Sequence, residues 1–185
     1  MRFDPSAYGE EVSAILALDG GGERLMPLAL GRCSSAAALE KLQGASWRRL
    51  FSGARAGEAA MAGLYLYFSC LEEAHGVAQT ISTAEGSLWH GIMHRQEPDP
   101  GNSAYWFRQA GRHSIFPALA ARAAEIGGRC GLAVADPWDP FAFIDLCEAA
   151  RRQPGSPLEQ AALEIQRAEW QLLFDYCASR TAARG

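Results

Sequence analysis

The sequence predicts an all-α protein, and three observations indicate it. Alternating apolar and polar stretches typical of strands are almost absent, with Gly131–Val134 as the one weak strand candidate. Helix-start signals are frequent, the clearest being Ser156-Pro157-Leu158-Glu159. The 185 residues include 34 alanines, which let helices approach closely. We expect one domain, residues 1–185, built as a bundle of about eight helices.

The helices of the first half are expected over residues 8–18, 34–42 and 45–52, followed by a longer helix from Gly57 to His75 that ends at Gly76. The segment Ser82-Thr83-Ala84-Glu85 has the pattern of a capping box. It is expected to begin a helix that Pro98 ends, because the residue before a proline disfavours helical geometry.

Capping residues also mark the helices of the second half. Asn102 can cap a short helix through Phe107, and Ser114 can cap a helix that Gly127-Gly128 ends. Asp139-Pro140 begins the next helix, which Pro154-Gly155 closes. The last helix extends from Pro157 to about Ser179 and carries two neighbouring apolar faces, so we expect it to pack centrally.

The overall composition is that of a globular protein. Hydrophobic residues make up 49% and charged residues 21%, which excludes a disordered or collagen-like chain. The net charge of −4 gives no basic field for nucleic acid or anionic membranes, and neither is expected as a partner. The sequence has no apolar stretch of the ~18 residues needed for a membrane span, and Met1–Pro5 does not resemble the start of a secretory signal. We therefore expect a cytoplasmic protein.

The five cysteines are odd in number and widely spaced, and none forms a C-x-x-C pair. This pattern indicates small apolar core residues in a reducing compartment, rather than redox or zinc ligands. The cysteines are Cys33, Cys70, Cys130, Cys147 and Cys177.

The glycine-rich segment Ile15–Arg24 resembles the oxyanion loop of patatin-type lipid hydrolases. That mechanism also needs a serine in a G-x-S-x-G elbow and an aspartate partner. The chain contains no G-x-S-x-G, and Gly31-Arg32-Cys33-Ser34-Ser35 does not fit it. We interpret the segment as a turn after the first helix and expect Glu23 and Arg24 to contribute nothing catalytic.

The strongest functional signal is a group of histidines. His75, His90, His94 and His113 lie within 39 residues, and His90 and His94 share one helix face at spacing i, i+4. Gly91 stands where a metalloprotease would have its glutamate, so H-E-x-x-H chemistry is excluded. From Gly86 to Met93 the helix carries no charged residue, which predicts burial on all sides.

The preceding helix supplies candidate partners. Its apolar stripe continues into Glu72 and His75, which have the i, i+3 spacing found in carboxylate-bridged metal bundles. A chain reversal near residue 82 would set His75 level with His90, whereas one near residue 79 would set Phe68 there. The sequence leaves this register open.

We expect His90, His94, His75 and Glu72 to converge on one pocket and to bind a single divalent metal, zinc or iron, if any. Glu97 and Asp99 are the candidate catalytic bases. Alternatively, the histidines form a structural core network paired with Glu72 and carbonyl groups. In that case Asp99 lies in a turn and Glu97 pairs with Arg95 or Arg108.

An aromatic segment follows the histidines. Trp89, Tyr105 and Trp106 are candidate pocket walls, where Trp106 could stack on a planar ligand while Arg108 binds its carboxylate or phosphate. The alternative is a short helix that plugs the core with its aromatic side chains.

Residues 70–117 contain W-H-x-I-M-H-R-x-E-x-D, at 89–99, and N-x-x-Y-W-F-R, at 102–108. This segment resembles a widespread family that carries both motifs and has no established activity. The resemblance therefore implies where a site lies and implies no chemistry. Together these patterns suggest a metal-dependent enzyme of small molecules, or alternatively a non-catalytic protein that binds a small-molecule ligand or a partner.

Overall fold

The computed structural model describes residues 3–180, and this part of the chain folds into ten α-helices and two short 3₁₀ helices. It contains no β-strand; the only strand-like pairing among these residues is an isolated bridge between Ala54 and Arg180. The all-α prediction is confirmed, with ten helices rather than about eight. The helices are α1 (Glu10–Leu16), α2 (Ala36–Gln43), α3 (Trp47–Leu50), α4 (Gly57–Tyr67), α5 (Leu71–Ala78), α6 (Ala84–Gln96), α7 (Pro100–Ala110), α8 (Phe116–Gly128), α9 (Pro140–Arg151) and α10 (Pro157–Ala178), and the 3₁₀ helices are Pro5–Tyr8 and Ala17–Gly22.

The long helix predicted from Gly57 to His75 is two helices. The chain turns between α4 and α5 at Ser69, whose φ of 58° lies in the left-handed region. A residue in this conformation ends a helix and lets the chain change direction. The Ser69 hydroxyl accepts a hydrogen bond from Nη2 of Arg24 at 3.0 Å, which holds the turn against the N-terminal loop.

Two cysteines meet at this turn. Cys33 and Cys70 have Cα atoms 4.6 Å apart and form a disulfide across a sequence separation of 37 residues. The prediction that all five cysteines are free core residues is wrong for this pair, because long-range packing brings them together. It is also wrong for Cys130, which is exposed, whereas Cys147 and Cys177 are free and buried as expected.

Helix α10 is central, as predicted, and packs against α4, α8 and α9. Ser156 caps it as expected, since its Oγ accepts from the amide of Glu159 at 3.1 Å. The Glu159 carboxylate accepts from the amide of Gly155 at 2.6 Å rather than from that of Ser156, so the capping box is shifted by one residue. Further along the helix, Nε1 of Trp170 donates to the carbonyl of Gly63 at 2.8 Å. This bond ties the middle of α10 to α4.

Three other helix starts differ from the prediction. Helix α6 begins after Thr83 with no side-chain capping bond, and α8 begins after Ile115 rather than Ser114. Helix α7 begins at Pro100 and is capped by Asp99 instead of Asn102. Because proline fits the first helical position, the Asp-Pro pair outcompetes the later asparagine.

The glycine-rich segment is engaged in structural contacts. The hydroxyl of Tyr67 accepts hydrogen bonds from the amides of Gly22, at 2.9 Å, and Arg24, at 3.1 Å, and donates to the carbonyl of Asp19. Nε of Arg24 lies 2.9 Å from the Asp19 carboxylate. Because Gly20, Gly21 and Gly22 all have positive φ, this tight turn requires glycine.

Within residues 3–180, no helix combines the length and the apolar character needed to cross a membrane.

Candidate functional site

Three of the four histidines lie together where α5 meets α6. The turn over residues 79–83 sets the ring of His75 against both histidines of α6, with centroids 4.8 Å from His90 and 5.4 Å from His94. The rings of His90 and His94 are 6.2 Å apart. The structure therefore has the register of a reversal near residue 82, which the sequence left open.

His90 is the innermost ring and is 1% exposed. Its Nδ1 lies 3.2 Å from the carbonyl of Gly86, one turn earlier in α6. Its Nε2 is buried and has no hydrogen-bond partner among the described residues. The indole of Trp106, from α7, stacks on the imidazole at 4.1 Å with an angle of 14° between the planes. Backbone and indole thus fix the ring and leave one nitrogen free.

Burial dominates the electrostatics of His90. Desolvation of the charged form lowers the pKa of His90 from 6.5 to about 4, the nearby His75 and His94 add to this, and the Gly86 hydrogen bond opposes it. His90 is therefore neutral at physiological pH, which is the form in which an imidazole binds a metal.

We expect the metal-free protein to lose stability as the pH falls from 6.5 to 4. In this range the unfolded chain binds a proton that folded His90 does not bind, so the free energy of unfolding falls with decreasing pH, by up to about 1.4 kcal/mol per unit. Urea denaturation at several pH values measures the slope, and His90→Gln should make it shallower. An identical slope in this variant would contradict the assignment.

His94 lies beside a carboxylate, that of Glu97. Its Nδ1 lies 2.8 Å from Oε2 of Glu97, at the end of α6, although the angle is poor for a hydrogen bond. The His94 side chain is 13% exposed and that of Glu97 is 31% exposed, so this edge of the group reaches the surface. Of the two predicted catalytic bases, Glu97 directly contacts one histidine of the group, His94.

Asp99 has a structural role in addition to its place near the site. Its carboxylate accepts from the backbone amide of Asn102 at 3.1 Å and from the Asn102 side chain at 2.7 Å, which caps α7. These hydrogen bonds lower the pKa of Asp99, and the nearby His94 contributes to the shift. The capping bonds favour the turn interpretation of Asp99.

Glu72 lies apart from the histidines. It is exposed and makes no hydrogen bond or ion pair with any residue from 3 to 180. The predicted stripe from α4 into Glu72 and His75 assumed one continuous helix, whereas the turn at Ser69 changes the direction of the chain between α4 and α5. Glu72 and His75 remain three positions apart in α5. His75 joins the group and Glu72 does not.

The four predicted pocket residues do not line one pocket. Trp89 is fully buried against α4, where a Cβ on Gly63 would come within 2.6 Å of its ring. Trp106 stacks on His90, but Tyr105 packs edge-on against Trp106 and is 47% exposed. Arg108 is also exposed. Trp106 alone of the four directly contacts a histidine of the group.

The fourth histidine forms a separate cluster. Nε2 of His113 lies 3.5 Å from the Glu85 carboxylate, and its ring contacts Tyr176 of α10 at 4.6 Å. Burial alone would raise the pKa of Glu85, but hydrogen bonds from Thr83, its own amide and His113 lower it overall. The His113–Glu85 pair ties the segment after α7 to the start of α6.

Sequence reasoning missed a buried ionic group immediately beside the histidines. Arg95 is 1% exposed and pairs with Glu169 of α10, which is 2% exposed. Nη2 of Arg95 also lies 3.4 Å from Oε1 of Gln166, whereas Nε and Nη1 have no partner among the described residues. A charge near a helix end usually reaches solvent, so no local signal distinguishes Arg95 as buried.

The group defined by His75, His90 and His94, which we call the histidine triad, presents several imidazole nitrogens at one place. As the side chains stand, no set of three or more His, Cys, Asp or Glu residues within 3–180 could hold a metal ion.

No protein-family model, curated protein or solved structure matches the chain.

Proposed function

We propose that this protein binds one divalent metal ion, zinc or iron, through the histidine triad. We further propose that the protein is an enzyme that uses this metal to act on a small-molecule substrate. The observation that carries the proposal is the unpartnered Nε2 of buried His90 beside two further imidazoles. A buried imidazole nitrogen without a partner costs about 1–3 kcal/mol, and a metal ligand bond would offset that cost.

The ring separations are compatible with a shared ion. Three imidazoles bound at about 2.0–2.1 Å to one tetrahedral ion have centroids roughly 5 Å apart. The observed separations are 4.8, 5.4 and 6.2 Å. Since the side chains do not form a complete ligand set as they stand, binding requires at least one ring to rotate.

The outer contacts also support the proposal. Metal-bound histidines usually direct their second nitrogen to a carbonyl or carboxylate, which orients the ring. Nδ1 of His90 lies near the Gly86 carbonyl, and Nδ1 of His94 lies near the Glu97 carboxylate. Each contact leaves Nε2 of the same ring for the ion.

The partial exposure of His94 and Glu97 supports an enzyme rather than a closed structural site. A catalytic metal keeps one position for water or substrate, and this edge is the one that solvent can reach. In this arrangement a bound metal would supply Lewis-acid chemistry at that position, and Glu97 would orient the His94 ring from the side opposite the ion, with the reaction class left to experiment.

The test is metal analysis of protein from which any affinity tag has been removed, followed by calorimetric titration of the metal-free protein with zinc and with iron(II). We expect one ion per chain. His90→Ala with His94→Ala should abolish binding, and Glu97→Gln should weaken it by roughly 10–100-fold. His113→Ala is the matched control, because His113 lies outside the triad, and it should bind normally.

A folded protein that binds neither ion would overturn the proposal. The second candidate, a structural histidine network in a non-catalytic ligand-binding or interaction protein, would then stand. The stack of Trp106 on His90 favours this candidate, because it holds the ring by packing alone. Circular dichroism of each variant separates loss of the ligand set from loss of the fold.

A further inference from the structure

An aromatic groove lies on the opposite side of α7 from the triad contact, between the end of α7, the start of α8 and the segment before α9. It comprises two adjoining cavities of about 680 and 360 Å³, which share five lining residues: Arg112, Phe116, Asp136, Pro137 and Trp138. Pockets of roughly 300–1,000 Å³ are the usual size for small-molecule sites. We call this feature the arginine groove.

The walls of the arginine groove are aromatic. Phe116, Trp138 and Phe141 line it from two sides. Phe141 is 39% exposed, which makes it one of the few large apolar side chains that face solvent. Trp138 is 7% exposed, and its buried Nε1 has no hydrogen-bond partner in the described part of the chain. These aromatic surfaces suit the flat ring of a ligand, and the indole N–H of Trp138 is a hydrogen-bond donor without an acceptor among the described residues.

The groove presents two guanidinium groups that are free to bind an anion. Arg108 and Arg112 both line it and are exposed, and neither forms a hydrogen bond or ion pair with another residue of the described range. Two acids also line the groove: Asp139 accepts from the amide of Phe141 at 2.8 Å and caps α9, and Asp136 borders both cavities. Two unpaired guanidinium groups beside aromatic walls match a planar ring with an anionic substituent.

We propose that the arginine groove binds a small planar anion, an aromatic carboxylate or an aryl phosphate. The ring lies against Phe116, Trp138 and Phe141, and the anion pairs with Arg108 and Arg112. The groove is a separate place from the triad, because Trp106 contacts His90 whereas Arg108 lines a cavity with the α8 and α9 segments. The guanidinium of Arg108 is therefore a ligand for an anion in a site separate from the histidines.

The test titrates metal-free protein with 1-naphthoate and with 1-naphthyl phosphate. Binding is monitored by NMR through the indole ¹H–¹⁵N resonance of Trp138. The resonance is assigned with Trp138→Phe. We expect at least one probe to shift it in a saturable way. The double variant Arg108→Gln/Arg112→Gln should weaken that binding by roughly tenfold or more, since charge-assisted hydrogen bonds are the strong ones. The preferred probe identifies the anion as carboxylate or phosphate.

Two controls make the test decisive. Arg32→Gln removes an exposed, unpaired arginine of the described chain that lies outside the groove, and it should leave binding unchanged. Methyl 1-naphthoate keeps the ring without the charge and should bind more weakly. The proposal is overturned if neither anion shifts the resonance, if the ester binds as tightly as the anion, or if the double variant binds normally.

Discussion

Replacing Glu169 by alanine should lower the free energy of unfolding by about 3–5 kcal/mol, because it leaves the charge of Arg95 buried and unpaired. Both side chains are almost completely buried, and the Arg95 guanidinium has no alternative acid within its contacts. Its other neighbours are the rings of Phe143 and Phe107, at 4.5 and 5.9 Å. Urea denaturation followed by circular dichroism measures the change.

The double variant Arg95→Met/Glu169→Leu separates the loss of a partner from the loss of the pair. When both charges are replaced by apolar groups of similar size, no charge is left buried, and we expect most of the stability to return. The matched control is Glu164→Ala on the same helix. In its pair with Arg129 the arginine side chain is 55% exposed and the Glu164 side chain 19%, so the expected loss is within about 1 kcal/mol. Equal losses for Glu164→Ala and Glu169→Ala would show that burial of the Arg95 pair is unimportant.

Reduction of the Cys33–Cys70 disulfide should cost about 4 kcal/mol of stability. The bond joins residues separated by 37 positions, and closing a loop of that length restricts the unfolded chain by roughly this amount in the chain-entropy description. The measurement is thermal or urea unfolding of the same preparation with and without a thiol reductant. Cys33→Ala/Cys70→Ala should unfold like the reduced protein.

The same double variant supplies the control, since a reductant should leave its stability unchanged. Alkylation before and after reduction, followed by mass spectrometry, counts the free thiols. Two additional thiols after reduction are expected, from Cys33 and Cys70. Complete alkylation of both cysteines in native, unreduced protein would contradict the pairing.

The helices were predictable where a few neighbouring residues decide the backbone. Ser156 and Asp139 cap their helices as their local patterns indicated, because a cap needs only a side-chain oxygen and amides two or three positions away. The break at Ser69 was not predictable in this way. Its contacts are long-range: Arg24, which donates to the Ser69 hydroxyl, is 45 residues distant in sequence and reaches the turn only in the folded chain.

The histidine triad shows the same division. The spacing of His90 and His94 on α6 follows from helix geometry, and so does the neutral, buried character of that helix. The position of His75 against both histidines of α6 depends on the turns at either end of α5, which place that helix beside α6. Glu72 lies three residues earlier in the same helix and remains exposed.

Local sequence thus specifies the all-α architecture, most helix ends and the i, i+4 imidazole pair, since these depend on hydrogen bonds and side-chain periodicity within one or two turns. The tertiary structure alone selects the partners: Glu169 for Arg95, Cys70 for Cys33, Trp106 for His90 and an open groove for Arg108. The physical reason is that burial and pairing energies arise between helices far apart in the chain. Their relative placement is decided by the packing of the whole core rather than by any local pattern.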